Sequence, residues 1–243
     1  MRQKIRKSII LISCLLFPIT MWYFSPYHII MGGFEHIICG SFIVFIAMLF
    51  FSIIFGRAWC GYLCPAGGLQ ECVFRINSNP AKQGKRDLIK YVIWFIWIMV
   101  IVFAFVVGKN DVTIDPFYMT DHGVSVANIY NFLIYYMFIF MHVIPAMIHG
   151  KRALCHYICW KSPFMVIGSN IGRLLCFPQL HIEADKEKCL SCGKCNRVCP
   201  MGLDVKKMVS EDTLAKCSEC IECGVCVDEC KQGTIKYTFL WNK

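Results

Sequence analysis

The sequence predicts a membrane domain of four spanning α-helices, followed by a small α+β domain rich in cysteine. The chain of 243 residues is 57% hydrophobic, with a mean hydropathy of +0.53, which is more apolar than a soluble domain. Two cysteine pairs of equal spacing each follow a long apolar stretch. Eight more cysteines repeat a second spacing near the C-terminus.

Four apolar stretches carry no Asp, Glu, Lys or Arg: residues 8–24, 37–55, 91–107 and 129–148. Each has 17 to 20 residues, close to the ~20 that cross a bilayer core. No small-residue cleavage site follows the first stretch, so we expect a retained anchor rather than a signal peptide.

The charges predict how the chain crosses the membrane. Residues 1–180 hold fifteen basic against six acidic residues, whereas residues 181–243 hold ten of each. All the basic residues of the first part except Lys109 lie at the N-terminus, in the 56–90 loop or after Gly150. The positive-inside rule then predicts a multi-pass protein of the cytoplasmic membrane with both termini in the cytoplasm. The basic excess therefore indicates topology and requires no nucleic-acid partner.

The membrane domain, residues 1–175, contains an internal repeat. RAWCGYLC (57–64) and RALCHYIC (152–159) share Arg, Ala, Tyr and both cysteines, and each follows the second of two predicted spans. We therefore expect two parallel helical hairpins, each ending in Cys-x3-Cys and related by an axis along the membrane normal. Cys176-Phe177-Pro178 marks the boundary with the second domain, residues 176–243.

The second domain has the cysteine spacing of proteins that bind two 4Fe-4S clusters. The run Cys-x2-Cys-x2-Cys-x3-Cys occurs twice, and the fourth cysteine of such a run ligates the other cluster. Cluster one is predicted on Cys189, Cys192, Cys195 and Cys230, and cluster two on Cys220, Cys223, Cys226 and Cys199. Zinc sites and disulfides fit this spacing and a reducing cytosol less well. Cys217, three residues before Cys220, allows a shifted register.

The Cys-x3-Cys pairs bring four more cysteines into the prediction: Cys60, Cys64, Cys155 and Cys159. Cysteines at i and i+4 share one face of a helix, so two pairs could surround one point at the cytoplasmic edge of the membrane. This quartet could hold a further cluster or metal, cycle as redox dithiols, or consist of small packing residues. Arg57 and Arg152 would favour thiolates or balance a negative cluster.

GRAWCGYLCPAGGLQE (56–71), RALCHYIC and the double run ending CPMGLDV (199–205) resemble the NapH-type membrane ferredoxin proteins, with related parts in NosR-type and CcoG-type proteins. The resemblance covers nearly the whole chain. It implies four spans, motifs at Cys60, Cys64 and Pro65 and at Cys155 and Cys159, and electron transfer between a quinone pool or cytosolic donor and an outer partner. Trp160 replaces the proline of the second motif, which leaves open whether the two halves are chemically equivalent.

The remaining candidate residues are weaker. A bis-histidine haem b is not favoured, because His36 and His142 lie at different depths; His142 or His149 could instead contact a quinone. Asp115, Asp121 and His122 lie in a loop expected to be solvated. A basic run beside the membrane is expected to contact anionic lipid; it comprises Lys82, Lys85, Arg86 and Lys90.

The function predicted from these features is membrane-bound iron–sulfur electron transfer with a quinone or redox partner subunit, in a homo- or hetero-oligomer. This is an electron-transfer component rather than a stand-alone catalyst. Two alternatives are a reductase that acts on a metal ion, disulfide or small substrate through the quartet, and a redox assembly or regulatory protein.

Overall fold

A computed structural model gives the fold and describes residues 1–82, 84–108 and 111–239. Lys109, counted in the topology argument, lies outside these residues. The membrane part contains helices α1 (Arg2–Leu15), α2 (Phe17–Thr20), α3 (Pro26–Glu35), α4 (Gly40–Phe55), α5 (Ala58–Tyr62), α6 (Pro65–Cys72), α7 (Ile89–Val107), α8 (Ile129–His149), α9 (Ala153–Tyr157) and α10 (Ser162–Leu174). Short 3-10 helices cover Met21–Phe24, Val73–Arg75 and Lys85–Leu88.

Two of the helices are long and apolar enough to cross a membrane. They are Arg86–Val107, which includes α7, and Ile129–His149, which is α8. Large apolar side chains on both are exposed, among them Phe95, Phe103 and Leu133. Exposed apolar surface on this scale marks contact with lipid or protein rather than with water.

The other two predicted spans differ from single long helices. The chain over Arg2–Leu15 and Phe17–Phe24 bends by 58°, at a break that Pro18 explains because proline lacks the N–H that would continue the helix. Within residues 37–55, the first three form a strand, and α4 has 16 residues, which is about 24 Å of helix. Within residues 1–82, 84–108 and 111–239, two helices are thus long and apolar enough to span a membrane, or three if the bent pair is one span. The four-span arrangement stays a prediction.

Close helix packing brings α10 against α4. Gly168 and Gly172 lie against the backbone of Leu49 and Ile53 with no room for a side chain. Met48 and Met165 are fully buried at the same contact. On the side away from the tail, strand β1 (Ile37–Cys39) pairs in parallel with β2 (Thr113–Asp115), so Ile38 lies opposite Ile114.

The tail is a small α+β unit. It contains β3 (His181–Ala184), α11 (Lys194–Val198), α12 (Val205–Ser210), α13 (Val225–Glu229) and β4 (Ile235–Thr238), with 3-10 helices at Lys186–Lys188 and Leu214–Lys216. Strands β3 and β4 are antiparallel, with His181 opposite Thr238. Gly193 and Gly224 precede α11 and α13 with φ of 69° and 66°. This left-handed backbone suits glycine and turns the chain after the second cysteine of each run.

Candidate metal centres

The first tail site is a cavity lined by Cys189, Cys192, Cys195 and Cys230. Cys189 and Cys192 lie in the loop that leads into α11, Cys195 lies in the first turn of α11, and Cys230 follows α13. Helices α11 and α13 pack against each other, which brings the fourth cysteine back to the other three. The structure therefore gathers the four residues predicted for cluster one.

The second tail site combines Cys220, Cys223 and Cys226 with Cys199. The first three thiols interact electrostatically with one another, and Cys199 interacts with Cys223 and Cys226. Cys199, Cys223 and Cys226 are buried in the tail core, and burial raises the pKa of the Cys223 thiol to about 12. The four residues predicted for cluster two thus lie together.

Cys217 lies close to the second site. It shares a small polar cavity with Cys220 and Arg57, and its thiol interacts with that of Cys220. The choice of Cys220 rather than Cys217 as a ligand therefore stays a prediction. Glu222 lines the same cavity, where burial raises the pKa of its carboxyl group to about 8 and the charge of Arg57 opposes the rise.

The two Cys-x3-Cys motifs share a local fold that differs from the one predicted. Cys60 lies in α5 and Cys155 in α9, but each helix ends before the second cysteine. The expectation that each pair shares one helix face is therefore wrong. In the first motif the cause is Pro65, the first residue of α6, because the residue before a proline is driven to extended backbone. Cys64 accordingly has φ −74° and ψ 113°.

All four cysteines of the quartet nevertheless line one cavity. Cys60, Cys64, Cys155 and Cys159 share it with Arg57, Arg152, Lys161 and His142. Cys64 and Cys155 are buried, and Cys60 and Cys159 are partly buried. The structure describes all seventeen cysteines, and each is a free thiol.

Buried charge surrounds this cavity. The Arg152 guanidinium donates to the Cys60 carbonyl at 2.8 Å and pairs with Glu71, which also pairs with Arg6 at 2.9 Å. Arg57 pairs with Glu219 of the tail at 3.4 Å. Both arginines predicted from the repeat therefore already have a carboxylate partner.

Lys161 is a site residue that sequence reasoning missed. Its ammonium group lies 3.9 Å from the Cys64 sulfur and 4.6 Å from the centre of the Phe24 ring. It is buried and has no carboxylate partner among the residues that the structure describes. The sequence feature that could have indicated this role is the position of Lys161, two residues after Cys159 and next to an apolar helix.

Gln70 is a second missed residue. It is completely buried in α6, where its side-chain amide donates to the Cys155 sulfur at 3.2 Å and accepts from the Leu154 N–H at 3.1 Å. Gln70 therefore fixes the position of Cys155 from the opposite repeat. No feature of the sequence indicated that Gln70 contacts Cys155.

The arrangement of the quartet cysteines in space is not that of a site for one metal ion. Within residues 1–82, 84–108 and 111–239, no group of three or more His, Cys, Asp or Glu side chains has the geometry to hold one metal ion. The same holds for the eight tail cysteines, whose sequence spacing is typical of clusters.

The tail and the quartet touch each other directly. The Ile221 carbonyl lies so close to Gly61 that no side chain fits between them. Ile221 also lines the quartet cavity and stands between Cys220 and Cys223 in the chain. Cys155 belongs to the same buried core as Cys199 and Cys223. One loop of the tail thus separates the second tail site from the quartet.

Polar contacts hold the tail in this position. Arg2 and Gln3 bind Asp228, and Gln3 also donates to the Cys223 carbonyl at 3.1 Å. Lys151 donates to the Arg197 carbonyl at 2.8 Å. Lys90, expected to contact lipid, is instead completely buried and pairs with Glu219. The N-terminal residues and the tail are therefore in direct contact.

A separate cavity lies farther from the tail, between α3 and α8. Its lining includes Trp22, Ser25, His28, Asn131 and Phe138. His28 is buried and packs against Trp22 with the rings tilted by 31° and 4.7 Å between ring centroids. Its Nδ1 has no hydrogen-bond partner among the residues that the structure describes. Pro26 also lines this cavity, and its carbonyl accepts a hydrogen bond from the Trp97 indole at 3.3 Å. Because Trp97 lies near the middle of α7, the cavity lies at the same depth as the middle of that helix.

Two bridges connect this distal cavity with the quartet cavity. Phe138 lines the distal cavity, and its carbonyl is 2.7 Å from Nδ1 of His142, which lines the quartet cavity. Trp160 of the quartet cavity donates to the Phe24 carbonyl at 3.3 Å, and Ser25 lines the distal cavity. The two cavities are thus about one layer of side chains apart.

The other predicted residues do not join these sites. His36 lies at the opposite end of the membrane part from the quartet, with Nε2 2.8 Å from the Phe105 carbonyl. His149 packs edge-on against Tyr157. Asp115, Asp121 and His122 are exposed, as expected for a solvated loop.

Two segments match protein-family models. Residues 39–82, which contain Cys60 and Cys64, match a "4Fe-4S binding domain". Residues 181–231, which contain all eight tail cysteines, match a "4Fe-4S dicluster domain". Two 4Fe-4S domains of the ferredoxin type are therefore present.

The chain also matches distant relatives over most of its length. The chain is 23% identical to the uncharacterized protein MJ0749 of Methanocaldococcus jannaschii, over 97% of this chain and 86% of that protein. It is 22% identical to the putative electron transport protein YccM of Escherichia coli, over 88% of this chain and 59% of YccM. It is 21% identical to the ferredoxin-type protein NapH of Haemophilus influenzae, over 79% of this chain and 66% of NapH. No solved structure matches. The resemblance to NapH-type ferredoxin proteins is confirmed.

The contact between the tail and the membrane part generates a stability prediction. Glu219 faces two buried cations, Arg57 and Lys90. Replacing Glu219 by Gln removes the carboxylate with which both cations pair, and an uncompensated buried charge costs roughly 3–5 kcal/mol. We expect Glu219→Gln to lower the thermal unfolding temperature and to expose the tail to limited proteolysis. Glu211→Gln, at an exposed position of the same domain, is the control. Equal behaviour of the two variants would contradict the prediction.

Proposed function

We propose that this protein transfers electrons within a membrane and that Cys60, Cys64, Cys155 and Cys159 hold a third 4Fe-4S cluster. The observation that carries the proposal is Lys161. Its buried ammonium faces the quartet cavity without a carboxylate partner in the described structure, and an unpaired buried charge is very unfavourable. A cluster held by four thiolates carries net negative charge and would supply the missing anion. Four cysteine sulfurs and this cation therefore fit the group.

The tail ligands follow the prediction from spacing. Cys189, Cys192, Cys195 and Cys230 would hold cluster one, and Cys220, Cys223, Cys226 and Cys199 would hold cluster two. Their grouping in two neighbouring sites supports this assignment. Each cluster, when bound, supplies a one-electron carrier.

The protein's own residues would set the order of the three sites. Cys195 and Cys226 are close enough for their charges to interact, which supports contact between the first and second sites. Ile221 and Gly61 support contact between the second site and the quartet. We infer a route from the tail surface through both tail sites to the quartet, along which the surrounding core excludes water.

We further propose that residues 1–175 form a membrane domain with four crossings and residues 176–243 a cytoplasmic domain. The shared fold of the two Cys-x3-Cys motifs supports an origin as two repeated hairpins. The bond between Arg2 and Asp228 supports both termini on one side, and the basic loops favour the cytoplasm.

The membrane partner that the geometry favours is a quinone in the distal cavity. The lining is apolar apart from a few polar groups, as ligand sites usually are, and Nδ1 of His28 would meet an oxygen of the quinone ring. Exposed Tyr27 and Met137 at its edge support access from lipid. Because the quartet lies near one face of a core ~30 Å thick, a mobile lipid-soluble carrier would extend the route.

Metal content tests the central proposal. Three four-iron clusters correspond to about twelve iron atoms per chain, and two to about eight. We expect about twelve in protein purified without oxygen, and about eight in the variant with Cys60→Ser and Cys155→Ser. The control is Cys176→Ser, which removes an exposed cysteine outside every site. About eight iron atoms in the unmodified protein would refute the third cluster.

The charge of Lys161 should set the reduction potential of the quartet. Lys161→Gln removes a positive charge beside Cys64, so the added electron is less stabilised and the potential falls. We expect a decrease of about 60 mV or more, since 59 mV is a tenfold change in a one-electron equilibrium. Redox titration followed by electron paramagnetic resonance measures it. Lys161→Arg keeps the charge and serves as the control; equal potentials in both variants would contradict this role.

Quinol oxidation tests the distal cavity. His28→Leu keeps the bulk of the side chain but removes its hydrogen-bonding nitrogens. We expect the rate of cluster reduction by a soluble quinol to fall at least tenfold, as for loss of a hydrogen bond worth ~1.5 kcal/mol. Reduction by dithionite should not change. Tyr27→Phe, at the exposed edge of the cavity, is the control, and an unaffected quinol rate in His28→Leu would exclude this site.

A further inference from the structure

In the part of the chain that the structure describes, the first tail site is the proposed cluster site with the most exposed cysteine. Among the eight tail cysteines and the four quartet cysteines, Cys192 alone is exposed. The quartet is covered by the tail, and three of the four cysteines of the second tail site are buried. Among these twelve cysteines, a soluble protein can therefore approach most closely at Cys192.

The surface around Cys192 has the features of an interaction site. Leu190, two residues before Cys192, is 71% exposed and lines the same cavity. Lys194, Lys206 and Lys231 surround it, and none of them forms an ion pair within the described residues. Glu229 is the one acidic residue of the lining. An apolar centre with a charged rim is typical of interfaces between proteins.

We propose that this surface, defined by Leu190, Cys192, Lys194, Lys206 and Lys231, docks a small acidic one-electron carrier protein. The inference rests on the proposed function in that the first site must hold a cluster. Electron-transfer partners form small, transient interfaces, and a positive rim accelerates the approach of a negative partner. In each encounter the partner's centre is oxidised by one electron and cluster one is reduced by one, and no bond forms or breaks.

The three lysines could instead only balance the charge of a bound cluster. These roles differ in what they predict. Lysines that serve the cluster would affect every reductant and would change the cluster's spectrum or potential. Lysines that serve docking would affect acidic partners selectively, and salt would weaken the effect.

The test uses the full-length protein in detergent and two reductants in rapid mixing. The first is flavodoxin hydroquinone, an acidic flavoprotein that becomes the semiquinone on losing one electron. The second is the methyl viologen radical, a small cation. The test variant carries Lys194→Glu and Lys231→Glu. The control carries Lys216→Glu and Lys236→Glu, which make the same charge change at exposed positions outside the lining.

We expect the test variant to react with flavodoxin hydroquinone about tenfold more slowly than the control at low salt, within the range of electrostatic steering. The difference should shrink as salt is added, and the viologen reaction should not slow. Equal flavodoxin rates in the two variants would overturn the proposal, and so would an equal slowing with viologen. A tail without cluster absorbance would instead refute the proposed function itself, so the two failures are distinguishable.

Discussion

Burial of positive charge around the quartet is the constraint on which the rest of the structure depends. Arg57, Arg152 and Lys161 all line one cavity, and buried cations need anions nearby. The anions for the first two come from different parts of the chain, Glu219 from the tail and Glu71 from α6. Ion pairs therefore connect the tail, the two Cys-x3-Cys motifs and α1, since Glu71 also pairs with Arg6 of α1.

This charge arrangement also explains why the tail lies where it does. Glu219 immediately precedes Cys220, so the carboxylate that pairs with Arg57 also draws the Cys220–Cys223 loop toward the membrane part. Gly61 then allows the Ile221 carbonyl to approach α5. A single short loop thus carries two predicted cluster ligands, an ion-pair partner and a wall of the quartet cavity. Any change that moves the loop would alter all three together.

The sequence could predict what depends on spacing and composition. The eight tail cysteines, the glycines after each second cysteine, and the convergence of the quartet follow from local repeats. The breaks in the helices were harder to predict. The segment that contains α1 and α2 is apolar enough to cross a membrane, and only Pro18 indicates its 58° bend. Lys90 looked like a lipid contact because its partner, Glu219, is distant in sequence. Gln70 and Lys161 also acquire roles only through tertiary contacts.

The departure of the second motif from the first explains how the two halves differ. Pro65 directly follows Cys64 and starts α6, whereas α10 begins at Ser162 and its Pro163 comes four residues after Cys159. Trp160 and Lys161 therefore occupy extra backbone that has no equivalent in the first half. Lys161 brings its charge to the Cys64 sulfur of the other motif, and Trp160 binds the Phe24 carbonyl next to the distal cavity. The two residues that separate the second motif from α10 thus supply both a cation without a carboxylate partner in the described structure and a contact toward the distal cavity.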